Sequence, residues 1–94
     1  MTFQFHPEAR REYREAIIFY GRAGERFVEA VDAAIASILR NPERFRELVS
    51  GVRTCRVLKF PYSILYKQTP ITETVLILAL KHDRRHPDYW RERE

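Results

Sequence analysis

Toward the end of this 94-residue chain Lys81, His82, Arg84 and Arg85 lie almost side by side, and Arg53, Arg56 and Lys59 form a second cationic set upstream. Guanidinium and ammonium groups hold anionic oxygens through charge-assisted hydrogen bonds. An imidazole titrates close to working pH and so can carry a proton. Such a set suits nucleic acid or an acidic protein partner. Every member also has an ordinary explanation: Arg84 and Arg85 as solvated charge, His82 as a hydrogen-bonded histidine at a strand end. Tyr89-Trp90 reads either as a hydrophobic clamp closing the core or as an aromatic surface for a base. Metal chemistry finds no footing, because His6 and His86 lie far apart in sequence without ligand-like neighbours and Cys55 is the only cysteine. A lone cysteine also excludes an intramolecular disulfide. No metal or small-molecule cofactor is expected.

The placement of charge says more than its total of +4. Residues 1–50 hold eight basic and eight acidic side chains, whereas residues 51–94 hold nine basic and five acidic ones. The excess therefore lies in the half that carries the candidate residues. On the first predicted helix, Glu12 and Glu15 read as surface partners of neighbouring arginines. Met1–His6 alternates instead of running apolar, so no export leader is expected. The longest apolar run, Val75–Leu80, is too short for a bilayer. These features predict a soluble, cytoplasmic protein without membrane attachment.

The elements that must position the cations follow from periodicity. Thr2–Phe5 alternates with Phe3 and Phe5 on one face, which predicts a short strand. Pro7 suits a first helical turn, having no N–H to leave unpaired. Ala9, Tyr13, Ala16, Ile17 and Tyr20 then recur at helical spacing, so the first helix spans Pro7–Tyr20. Gly21 and Gly24 bracket a tight link. The second helix carries an apolar stripe of Phe27, Val28, Val31, Ala34, Ile35, Ile38 and Leu39, and Asn41-Pro42 closes it. The period then shortens. Arg53–Phe60 and Ser63–Lys67 read as strands about a turn at Pro61-Tyr62, and Thr74–Leu80, apolar on both faces, reads as a central strand. The expected fold is α+β, β-α-α-β-β-β: a helical hairpin packed on a small, mostly antiparallel sheet, one domain over residues 1–94. Domains commonly run to roughly 100–150 residues, and total stability at this size is on the order of 5 kcal/mol.

Read in order, Asn41-Pro42, Gly51-Val52-Arg53, the run Phe60-Pro61-Tyr62-Ser63-Ile64-Leu65-Tyr66 and the run His82-Asp83-Arg84-Arg85-His86-Pro87-Asp88-Tyr89-Trp90 resemble the RelE/ParE toxin superfamily. The match spans nearly the whole chain, and the family fold is the arrangement reached above from periodicity. The resemblance implies the growth-inhibiting half of a type II toxin–antitoxin pair, with a cognate antitoxin protein as partner. It implies one of two targets. RelE-type members sit on the ribosome and cleave mRNA; ParE-type members bind DNA gyrase and stall it on cleaved DNA.

A metal-independent ribonuclease must move a proton and stabilise phosphate charge. The resemblance makes His82, Arg84 and Arg56 the catalytic candidates, with Arg53, Lys59, Lys81, Arg85 and Tyr89 binding phosphate or an acidic partner. RelE-type nucleases usually carry an arginine directly after the tyrosine that opens the third strand; here that residue is Ser63. A hydroxyl does not replace a delocalised cation against a pentacoordinate phosphate. Gyrase inhibition needs no catalytic group, only a complementary surface. The clustering of His82 with Arg84 and Arg85 tilts the sequence reading toward mRNA cleavage. Gyrase inhibition and a non-toxic binding module stand as its alternatives.

Overall fold

The computed structural model describes residues 1–93. Strand β1 (Thr2–Phe5) leads into helix α1 (Pro7–Tyr20), a short 3-10 turn (Gly21–Ala23) and helix α2 (Gly24–Arg40). Four strands follow: β2 (Glu47–Val49), β3 (Val52–Val57), β4 (Tyr62–Thr69) and β5 (Thr74–His82). They form one sheet in the order β1-β5-β4-β3-β2. β1 joins parallel to β5, while the other neighbours are antiparallel. The expected β-α-α-β-β-β order holds, with β2 as an addition. That strand is short and mostly exposed, so it carries no burial pattern for periodicity to detect.

Both helices start and stop for local reasons. Pro7 opens α1, and the His6 imidazole caps it by accepting from the Glu8 backbone N–H at 3.0 Å. Gly21, at φ 54°, ends it in a conformation that side chains resist. Gly24 lets α2 start tight against α1, because a Cβ there would meet the Ile17 carbonyl at 3.2 Å. From α2, Phe27, Val31, Ala34, Ile35 and Ile38 are buried against Val57, Ile64, Tyr66, Val75, Ile77 and Leu80 of the sheet. Burial of each large side chain contributes roughly 1.5–3 kcal/mol.

A bulge in β5 decides which face its last residues occupy. Leu65 pairs with Ala79 but Tyr66 pairs with Ile77, so Leu78 is the extra residue. Leu78 and Ala79 therefore both face away from the helices, and Leu80 returns to the helix side. By alternation His82 shares the helix side and Lys81 the opposite one.

The face away from the helices is closed by the tail. Trp90 is buried there with Val52, Leu65, Leu78 and Ala79, and Tyr89 packs beside it. β1 pairs with β5 only as far as Ile77, which leaves the edge of β5 open beyond that point. Glu12 fills the gap: its Oε1 accepts from the Leu80 N–H at 3.0 Å, and Arg93 donates to the Leu78 carbonyl at 3.1 Å. The Arg93 fork binds both Glu12 oxygens at 2.9 Å, and the Tyr89 hydroxyl donates to Oε2 at 2.7 Å. Glu12 is thus a buried tie between α1, β5 and the tail, not the surface helix partner the sequence suggested. Only 8% of it is exposed, and its partner Arg93 lies 81 residues away, beyond the reach of helical spacing. Glu15 does pair with Arg11 on the helix surface, at 3.4 Å.

Candidate functional site

Apart from Arg53, at the start of β3, the candidate cations and the imidazole gather at one end of the molecule, where β3 ends, β4 begins and β5 ends. Three contacts bring these segments together. Tyr20 packs edge-on to Phe60 with ring centroids 5.0 Å apart, Tyr62 does the same to His82 at 5.0 Å, and the Asp83 N–H donates to the Pro61 carbonyl at 2.9 Å.

On the sheet face away from the helices, Arg56, Ser63 and Lys81 form one row across three strands, since Arg56 pairs with Ser63 and Ser63 with Lys81. The Arg56 guanidinium is already engaged. It donates to the Asp83 carboxylate at 2.6 and 3.3 Å, to the Ser63 hydroxyl at 3.2 Å and to the Phe60 carbonyl at 3.4 Å. This bond holds the Asp83 carboxyl below its ordinary range and raises the Arg56 guanidinium above its own. The Lys81 ammonium donates to the His82 carbonyl at 3.2 Å.

His82 stands on the opposite face. Its ring lines a small recess with Glu12, Glu15, Ala16, Phe19 and Leu80. Its Nδ1 accepts from the Arg84 N–H at 3.0 Å, which puts the ring proton on Nε2. The set expected to act together, His82, Arg84 and Arg56, is therefore not convergent: the imidazole and the Arg56 guanidinium are separated by the sheet. Arg84 sits on the exposed turn after β5.

The remaining candidates have structural employment as well. Arg53 points to the helix side and donates to the Phe45 carbonyl at 2.7 Å, tying β3 to the segment after α2. Arg85 lies 3.9 Å above the Tyr89 ring and Arg93 4.8 Å from it, so cations already occupy that aromatic surface. Burial first, then the Glu12 carboxylate, pushes the Tyr89 hydroxyl well above the ordinary phenol range. Lys59 is exposed at the β3–β4 turn with φ 71°. Cys55 is buried, and burial raises its thiol, which leaves it a packing residue. Among the described residues, no group of His, Cys, Asp and Glu is placed to hold a metal ion.

Sequence reasoning missed a groove of about 1230 Å³ between α2 and the edge of β3. Its floor includes Ala30, Ala33, Ala34 and Ser37, and Arg26, Arg44, Arg46 and Lys59 border it. The signal was present, because small residues at helical spacing leave room beside a helix. Ala30, Ala33 and Ser37 fall outside the apolar stripe by which the sequence marks the buried face of the helix.

Among the described residues no helix is long and apolar enough to cross a membrane. No curated protein matches the chain closely enough to count as a relative. The family model for the ParE toxin of type II toxin-antitoxin systems, parDE, matches residues 3–87. With the fold and the punctuating motifs agreeing over that span, the chain belongs to the ParE toxin family.

Proposed function

We propose that this toxin arrests growth by docking on its target without cleaving RNA, and that the target is DNA gyrase. The observation that carries this reading is the separation of the candidate catalytic groups. Proton transfer and phosphate stabilisation must converge on one phosphorus within hydrogen-bond reach. Here His82 faces α1, Arg56 faces away from the helices and is bound by Asp83, and Ser63 stands between Arg56 and Lys81 where the nuclease pattern has arginine. A docking toxin needs none of these groups to converge. The test is brief expression of the wild-type toxin, followed by recovery of gyrase–DNA cleavage complexes and primer extension on abundant messages. Accumulated cleavage complexes with intact messages is the expected result, and cut messages without such complexes would overturn the reading.

The cognate antitoxin that the family implies finds a fitting site in the groove beside α2. Small side chains admit a bulky apolar partner face, and the bordering arginines and lysine suit acidic residues around it. Association should slow as salt rises, because steering by exposed charge is screened. A salt-independent association rate would mean that apolar contact alone guides docking.

A further inference from the structure

We infer that the end of the molecule around Ile18 and Phe19 grips the toxin's protein target, an acidic surface that places an apolar side chain against these two residues. The inference rests on the docking reading above and adds the surface that carries it. Ile18 and Phe19 are 78% and 79% exposed, although α1 otherwise turns polar residues such as Arg11, Arg14 and Glu15 outward. Leu58, on the neighbouring β3–β4 turn, is 75% exposed. Single exposed apolar residues are ordinary, but a group of large ones at one end of a small domain marks a contact surface.

One of the pair rests on packed aromatic rings. Phe19 packs edge-on to Tyr20 at 5.3 Å, and Tyr20 packs on Phe60 at 5.0 Å. An anchor already held in place loses little freedom on binding. Beside Phe19 opens a recess of about 310 Å³ walled by Ala16, Tyr62, Leu80, His82 and Arg85 and by Glu12 and Glu15, whose carboxylates are paired with Arg93 and Arg11. That is room for one inserted side chain.

The charge around the pair selects the partner. Arg22, Arg26, Lys59, Arg84 and Arg85 are exposed at this end. Of the acids nearby, Asp83 is held by Arg56 and Glu15 by Arg11, so among the described residues Glu25 and Glu29 oppose five exposed cations. Cations around an apolar centre fit an acidic protein surface with an apolar residue at its middle. A nucleic-acid backbone offers nothing to Ile18 and Phe19. Ile18 and Phe19 themselves lie outside the groove beside α2, whereas Arg26, Leu58 and Lys59 border both surfaces, so only the pair is left to the target alone.

The test is the full-length double variant Ile18→Asp/Phe19→Asp, with Ile71→Asp as control. Ile71 is 95% exposed on the β4–β5 turn, at the other end of the strands. Purified DNA gyrase is the binding probe, alongside antitoxin affinity, melting, sedimentation and growth arrest. The expected result is a drop in gyrase affinity of about tenfold or more and loss of growth arrest. Melting and antitoxin affinity should stay as in wild type, and Ile71→Asp should behave as wild type throughout. Unchanged gyrase affinity and arrest in the double variant would overturn the inference. So would a parallel loss of antitoxin binding, a wild-type dimer that the double variant dissolves, or a surface that binds duplex DNA alone. If wild-type toxin does not bind gyrase, the docking target named above falls. Growth arrest then decides this inference, which stands only if the double variant loses arrest and Ile71→Asp keeps it.

Discussion

Against one face of the sheet lie two helices of 14 and 17 residues; against the other lies little more than Tyr89, Trp90 and Arg93. The helix face is built by repetition. Phe27, Val31, Ala34, Ile35 and Ile38 recur at helical spacing and meet alternate residues of the strands, interrupted only at the β5 bulge. The tail face depends on single contacts: one indole in an apolar patch, and one carboxylate that joins α1, β5 and the tail. A repeated interface tolerates the exchange of one apolar side chain for another at any one position, while a tie made by one residue does not. Each face nevertheless ends in a tyrosine hydroxyl donating across elements, Tyr66 to the Pro42 carbonyl at 2.6 Å and Tyr89 to Glu12 at 2.7 Å.

The largest loss of stability is expected at the helix face. Ile35→Asp places an unpaired carboxylate in the core, at a cost of several kcal/mol, comparable with the whole stability. Circular dichroism should show an unfolded or aggregated chain. A folded variant with wild-type melting would mean that the stripe faces solvent or a partner.

At the tail face the next largest effect is expected. Arg93→Met leaves the Glu12 carboxylate buried without its cation, which costs about 3–5 kcal/mol. Replacing both residues, as Glu12→Met/Arg93→Met, should recover much of that loss, because the buried charge is gone. Urea unfolding of the two variants measures the difference. Equal stability of the single and double variants would show that the tail is held by Trp90 alone.

What the sequence revealed follows the same division. The strand Thr2–Phe5, the helix Pro7–Tyr20, the apolar stripe of the second helix and the central position of the last strand were legible, because each is a repeated pattern. The role of Glu12 was not, since its partners are distant in sequence and one acid on a helix carries no period. The β5 bulge was equally hidden. Without it, alternation from Ile77 would put His82 on the face of Arg56; the added Leu78 turns it to the helix side. Reading His82, Arg84 and Arg85 as neighbours along the chain was sound, but a bulge decides which face each neighbour serves. The family was legible from punctuating residues such as Asn41-Pro42, Gly51 and Pro61, whose turn chemistry a sequence shows directly.

Alkaline titration should produce a smaller effect. Burial raises the Tyr66 hydroxyl to about 12, against 10.0 for the free side chain. The unfolded state therefore loses this proton first. Stability from Tyr66 is intact below pH 10.0 and declines by about 1.4 kcal/mol per pH step until the folded value near 12 is reached. Burial raises the Tyr89 hydroxyl in the same direction, so the tail face adds to the decline. Tyr66→Phe should flatten part of the slope while costing about 1 kcal/mol at neutral pH through the lost hydrogen bond. Stability that is level from pH 9 to 11 in the wild type would remove this account of both hydroxyls.

The central claim, that growth arrest needs no catalytic set, is tested most directly by His82→Ala expressed at the level of the wild type. Growth arrest is scored beside primer extension on messages and recovery of gyrase–DNA complexes. The separation of His82 from Arg56 predicts intact messages, with arrest and gyrase complexes weakened at most several-fold through the lost wall of the recess beside Phe19, far short of a catalytic loss. Loss of arrest in a folded, antitoxin-binding His82→Ala protein, with cut messages in the wild type, would contradict it: removal of a proton carrier typically costs ~10²–10³ in rate, and only a nuclease would feel that loss.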